Sequence, residues 1–143
     1  MLLSDLGNEY VAVAVQTPTD VEVSVQPAVL NLRFTDQDVV LMRSDLMPQL
    51  ALSNIQMHQF KYLSTFATPR GPISILRGWI SVDIHVQGNL LRFVTTHLET
   101  SDGSGTQLKQ ANELAQALNS SADNPPIVLC GDFNADADTP NCS

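Results

Sequence analysis

Apolar and polar positions change rhythm several times along this chain, and each change predicts an element. Ile80, Val82, Ile84 and Val86 alternate with Ser81, Asp83, His85 and Gln87, which predicts a strand with one wet face. Gly88-Asn89 supplies turn chemistry, and Leu90 to Thr96 returns as the second strand of a hairpin. Ser104-Gly105-Thr106-Gln107 matches a capping box, and Leu108, Ala111, Leu114, Ala115 and Leu118 follow at helical spacing. Together they predict a helix over 105–119 with one apolar stripe. Pro125-Pro126 then opens Ile127-Val128-Leu129-Cys130, a short apolar run of the kind buried on both faces inside a sheet. Strand, helix and strand in this order predict two parallel strands joined by a crossover.

The first half is less regular. Leu2, Leu3 and Leu6 before Gly7 predict the tail of a helix closed by a glycine cap. Tyr10 to Val15 and Val21 to Val25 read as two strands, with Pro18 and Pro27 punctuating the loops. Leu30 to Phe34 alternates, Asp36-Gln37-Asp38 reads as a turn, and Val39 to Met42 returns, which predicts a hairpin. From Arg43 to Thr68 the pattern weakens and predicts no firm element.

Composition narrows the functional classes. With 143 residues and 43% hydrophobic content, there is material for one core. The net charge is −8 and only seven Lys or Arg are present, too few for tight non-specific nucleic-acid binding by phosphate neutralisation. A local phosphate site remains compatible with that charge if a divalent cation supplies the positive field. Cys130, inside the apolar run, reads as a small core residue, and the pair Cys130 and Cys142 leaves the compartment open. No apolar stretch approaches the ~20 residues of a membrane span. No basic residue precedes the apolar Leu2 and Leu3, unlike a signal peptide.

The predicted parallel unit places chemistry at one edge. His97 falls at the carboxyl end of its first strand and Asp132 at the carboxyl end of its second, with Asn134 just beyond Gly131. Consecutive strands are usually neighbours, so these side chains share a rim, where ligand sites of open α/β sheets collect. A histidine, a carboxylate and an amide there form an acid–base and phosphate-orienting set.

Three motifs carry a family resemblance. Thr95-Thr96-His97-Leu98-Glu99, then Gln110-Ala111-Asn112-Glu113-Leu114, then Gly131-Asp132-Phe133-Asn134 follow an order and rough spacing by which the chain resembles the endonuclease/exonuclease/phosphatase superfamily, the DNase I-like phosphoesterases. Arg77-Gly78-Trp79-Ile80-Ser81-Val82-Asp83 resembles the strand that precedes the histidine strand in many members. The resemblance implies an α/β (α+β) fold: an incomplete four-layer α/β-sandwich of two packed mixed sheets with outer helices, residues 1–143 forming a partial domain. It implies a hydrolase of phosphoesters that uses Mg²⁺ and acts on a small-molecule, lipid or nucleic-acid substrate. Carried over by motif, His97 contacts the scissile phosphate or assists the leaving group. Asp132 activates or orients the attacking water, and Asn134 orients the phosphate and transition state. Glu99 supports them, and Gln110 and Glu113 tie the helix to the sheet. The family's first-strand asparagine, its metal-holding glutamate and its closing Ser-Asp-His have no match here. The resemblance therefore places the main metal ligand outside these 143 residues and implies that they alone are inactive or nearly so.

Other readings compete. Asp132 and Asn134 can be a turn-forming pair. Asp132-x-Asn134-x-Asp136-x-Asp138 matches four ligand positions of a calcium loop, against which stand Ala137 at the glycine position, Ser143 at the glutamate position and the strand in front. A non-catalytic interaction module or pseudoenzyme on the same fold is a further alternative. His85 reads as solvated, His58 receives no role, and Trp79 reads as core. Arg70, Arg77 and Arg92 are the candidate cations for a phosphate.

Overall fold

A computed structural model describes residues 5–25, 30–68, 71–101, 103–120 and 124–135. Strands β1 (Tyr10–Val25) and β2 (Leu30–Arg43) pair antiparallel and lead through a short 3-10 turn (Ser44–Leu46) to β3 (Ala51–Gln59). Then follow β4 (Ser64–Thr68), β5 (Gly71–Ile75), β6 (Gly78–Val86), β7 (Asn89–His97), helix α1 (Thr106–Asn119) and β8 (Ile127–Asp132). β4 and β5 form their own antiparallel pair. The central sheet has the order β3-β6-β7-β8, antiparallel except for the parallel pair β7–β8 across α1.

The alternation of β6 divides the core in two. Ile80 and Val82 point to one face, where they are buried with Ala14 of β1 and Val40 of β2. Trp79 points to the other and joins Phe60, Val94, Leu98 and Leu114 of α1. The β1–β2 pair, the central sheet and α1 thus stack as three layers. The α/β architecture is the one expected, with the four-stranded sheet as its mixed member.

Several local expectations change. The face of β6 expected to be wet is covered, because Ser81 and Asp83 are both buried. Asp83 reconciles charge with burial by accepting bonds from Arg92 Nε (2.6 Å), Arg92 Nη2 (2.9 Å) and Asn54 Nδ2 (2.9 Å). The β6–β7 turn is Gln87-Gly88, both at positive φ (50° and 83°), as a two-residue hairpin turn requires, and Asn89 already pairs with Val86. Pro18 does not end a strand. It lies within the register shift between Gln16 and Thr19, a bulge that needs no N–H from it, so β1 runs on. Nor is Asp36-Gln37-Asp38 a turn: it continues β2, with Asp36 opposite Thr19 and Asp38 opposite Gln16. The Asp36 carboxylate finds its partner, Arg77, across the layers rather than in solvent. Leu2, Leu3 and Pro27 fall outside the described residues, while Gly7 takes the positive φ (59°) expected of a glycine cap.

Two further corrections concern β8 and α1. The run Ile127–Cys130 was expected inside a sheet, but β8 is an edge strand and exposed along its length, Cys130 included. Its apolar character calls for cover on both faces, and none of the described residues supplies it. In α1, Leu108 and Ala115 are exposed, so the inward stripe is Gln110 and Leu114, both buried, with Ala111 and Leu118 partly buried beside them. The capping box is also incomplete. Ser104 Oγ accepts from Thr106 N (3.2 Å) while Gly105 holds the N-cap position, and Gln107 reaches away to the loop after β8.

Candidate active-site rim

His97 and Asp132 are direct partners in the parallel register, each the last residue of its strand. His97 Nε2 lies 3.7 Å from Asp132 Oδ2. The ladder continues one step further, Leu98 N donating to Asp132 O (2.9 Å). Asn134, with φ +49°, closes a tight turn in which its N donates to Asp132 Oδ1 (2.9 Å). The turn-forming reading of this pair is therefore correct, and it serves the rim: one Asp132 oxygen is consumed by the turn and the other faces His97. Asn134 Nδ2 donates to Leu98 O (2.7 Å) and keeps a second N–H for another acceptor. Gln107 Nε2 donates to the carbonyls of Phe133 (2.9 Å) and Asn134 (2.6 Å), pinning this loop to the start of α1. The three residues singled out in the sequence stand together.

His97 is an odd-numbered position of β7, so its ring faces the β1–β2 layer. There Arg77 Nη1 lies 2.9 Å from His97 Nδ1 and also bonds Asp36 Oδ2, which is 3.4 Å from the same Nδ1. Arg77 is buried, and its Nε lies 3.8 Å from Glu99 Oε2. Asp38 completes the group, with a buried Oδ2 that makes no hydrogen bond. Burial, reinforced by the neighbouring negative charge of Asp36, pushes the Asp38 carboxyl up, against the opposing pull of His97 and Arg77.

Among the described residues, Asp36, Asp38 and His97 form one cluster that presents ligand atoms for a metal, all within 4.8 Å of one another. Arg77 already sits between two of the three, and a guanidinium and a divalent cation repel at such distances. The cluster fits its arginine better than an ion.

Glu99 and α1 form the support. Glu99 Oε1 accepts from Thr100 N (2.9 Å), and Glu99 N donates to Gln110 Oε1 (2.8 Å). Gln110, fully buried, also donates from Nε2 to Tyr62 O (2.8 Å). Glu113 accepts from Lys61 N (3.1 Å). The helix is thus tied to the sheet through the two residues expected. Gln110→Leu leaves a buried N–H and a carbonyl unmatched, each costing about 1–3 kcal/mol. Urea unfolding should show a loss of at least about 2 kcal/mol, and a loss near zero would mean that water substitutes for the amide.

The remaining candidates separate. Arg92 is committed to Asp83, Arg77 belongs to the rim, and Arg70, Asp136 and Asp138 lie outside the described residues. His85 is exposed with Nε2 3.0 Å from Ser53 Oγ, and His58 stacks on Trp79 at 4.7 Å between ring centres. The sequence reading missed Asp36, Asp38 and Gln107 at the rim. Two acidic residues at i and i+2 lie on one face of a strand, and that pattern was the available signal for the first two.

No family model and no curated protein sequence matches the chain. Solved structures do. The human Nocturnin catalytic domain with bound sulfate superposes at a TM-score of 0.57 with 20% identity, over 94% of this chain and 46% of that one. A humanized D. rerio TDP2 gives 0.55 with 15% identity, over 95% and 44%. D. rerio TDP2 complexed with a single-strand DNA product gives 0.54 with 15% identity, over 94% and 43%. These are DNase I-like structures, and the chain has that fold. It spans less than half the length of each of them.

Proposed function

We propose that the rim is the phosphate-handling part of a metal-dependent phosphoester hydrolase. The observation that carries this reading is the pairing of His97 with Asp132 at the ends of two neighbouring parallel strands, with Asn134 anchored beside them. In this reading His97 contacts the scissile phosphoryl group or its leaving oxygen, Asp132 orients the attacking water, and Asn134 holds a phosphoryl oxygen through its remaining N–H. Glu99 supports them through Arg77. Mg²⁺ is the expected ion, held mainly by groups other than the described ones, and residues 1–143 act as part of a larger catalytic domain. The substrate is a phosphoester of a small molecule, a lipid or a nucleic acid; the low basic content favours the first two.

Two measurements test it. Calorimetry with inorganic phosphate and Mg²⁺ should show binding to the 143-residue protein, weakened at least about tenfold (~1.4 kcal/mol) by Asn134→Ala. Absence of phosphate binding in the unsubstituted protein removes the reading. With bis(p-nitrophenyl) phosphate and Mg²⁺ the same protein should turn over at or near background, because the motif residues that would hold the metal have no match among its 143 residues. Robust Mg²⁺-dependent hydrolysis would refute that half of the proposal.

A further inference from the structure

We infer that Arg77, anchored by Asp36, holds His97 in the tautomer that carries its proton on Nε2, making this histidine a fixed hydrogen-bond donor toward the rim. The inference deepens the phosphate reading above and rests on it for its functional meaning. An arginine side chain has five N–H donors, no acceptor, and stays protonated in proteins. With Arg77 Nη1 2.9 Å from His97 Nδ1, that ring nitrogen must accept, so it carries no hydrogen. A neutral imidazole then has its one proton on Nε2, the atom that faces Asp132 Oδ2 at 3.7 Å.

Asp36 is the competitor and also the anchor. Its Oδ2 lies 3.4 Å from Nδ1 and on its own would draw a proton onto that nitrogen. The shorter contact belongs to Arg77, whose Nη1 carries two hydrogens, one for Asp36 and one for the ring. Burial keeps water from replacing either bond: the Arg77 and Asp36 side chains are only 10% and 13% exposed. Arg77 Nε lies 3.8 Å from Glu99 Oε2, an ion pair too long for a hydrogen bond, and both atoms are buried without a hydrogen-bond partner.

The consequence is a division of labour at the rim. His97 donates from Nε2 to an incoming oxygen and takes no proton there. Asp132 is left as the acceptor. Arg77 acts through the ring and is a positioning residue, with Asp36 behind it.

Long-range ¹H–¹⁵N spectra of the histidine-labelled 143-residue protein at pH 8, above the ordinary histidine range of about 6.5, test the assignment directly. The His97 ring should show a protonated Nε2 and an unprotonated Nδ1. A protonated Nδ1 in the unsubstituted protein overturns the inference without need of any variant. Arg77→Met should move the proton to Nδ1, facing Asp36, whereas Arg77→Lys, which still donates, should retain it on Nε2. An unchanged pattern in a folded Arg77→Met protein also overturns it. Adding inorganic phosphate should shift Nε2 if the rim binds phosphate. A correct tautomer with no phosphate response keeps the assignment and removes the reading of the site instead.

Discussion

Gly131→Ala is expected to destabilise the protein by about 3 kcal/mol or more and to pull Asp132 out of line with His97. Gly131 sits in β8 with φ +139°, a conformation that L side chains rarely adopt. Strain is the smaller part. A Cβ there would lie 2.0 Å from Thr96 O and 2.8 Å from Thr96 N, so it would collide with backbone rather than with a side chain that can turn away. Thr96 cannot retreat, because it pairs with Trp79 on its other side and its Oγ1 donates to Gly78 O (3.0 Å). Relief must come from β8, whose outer edge pairs with no other described strand. Gly88→Ala is the control: φ is also positive (+83°), but nothing lies within 4 Å, so only about 1–2 kcal/mol of backbone strain is expected. Urea unfolding of both variants separates the two terms. Equal losses would mean that β8 does not press on β7 as described. Weaker phosphate affinity in Gly131→Ala alone would tie the close approach to the rim.

Arg92→Met is the other large effect. It leaves the Asp83 carboxylate buried with only the Asn54 amide, and breaking a buried pair from one side costs about 3–5 kcal/mol. Asp83→Leu combined with Arg92→Met should recover much of that loss, since no charge is then stranded. The pH dependence follows from the direction of the shift. The bonds from Arg92 hold the Asp83 carboxyl below its usual value, against desolvation, with help from Asn54. A carboxyl depressed in the folded state contributes stability that is complete above its unfolded value, about 3.9, and is lost as pH falls through the lower folded value. The unsubstituted protein should therefore lose this contribution below the ordinary carboxylate range. In Arg92→Met it is already absent, so the gap between the two proteins should close in acid. A gap that stays constant from pH 7 to pH 3 would show that Arg92 acts through packing alone.

The legible parts of this molecule are those where local pattern and tertiary role agree. The β6–β7 hairpin, α1 and the parallel return into β8 form where periodicity and turn chemistry put them, although not every face is covered as that periodicity implies, and the motif residues His97, Asp132 and Asn134 meet where that topology puts them. Errors arise where one residue serves two levels. Asp36-Gln37-Asp38 has turn composition, yet the carboxylate of Asp36 answers the buried Arg77 of another layer. Pro18 has loop composition, yet a bulge absorbs it. Gln107 fits a capping box, but two carbonyls of the loop after β8 compete for its amide and win.

The order of strand, helix and strand and the residues at the ends of β7 and β8 follow from periodicity, turn chemistry and spacing, which are local properties of a chain. Only the tertiary structure decided what stands behind His97. Arg77 and Asp36 are 41 positions apart in sequence and meet because the β1–β2 pair packs against the central sheet. No local pattern encodes that encounter; it follows from how two layers pack, and it decides which nitrogen of the histidine faces the rim with a proton.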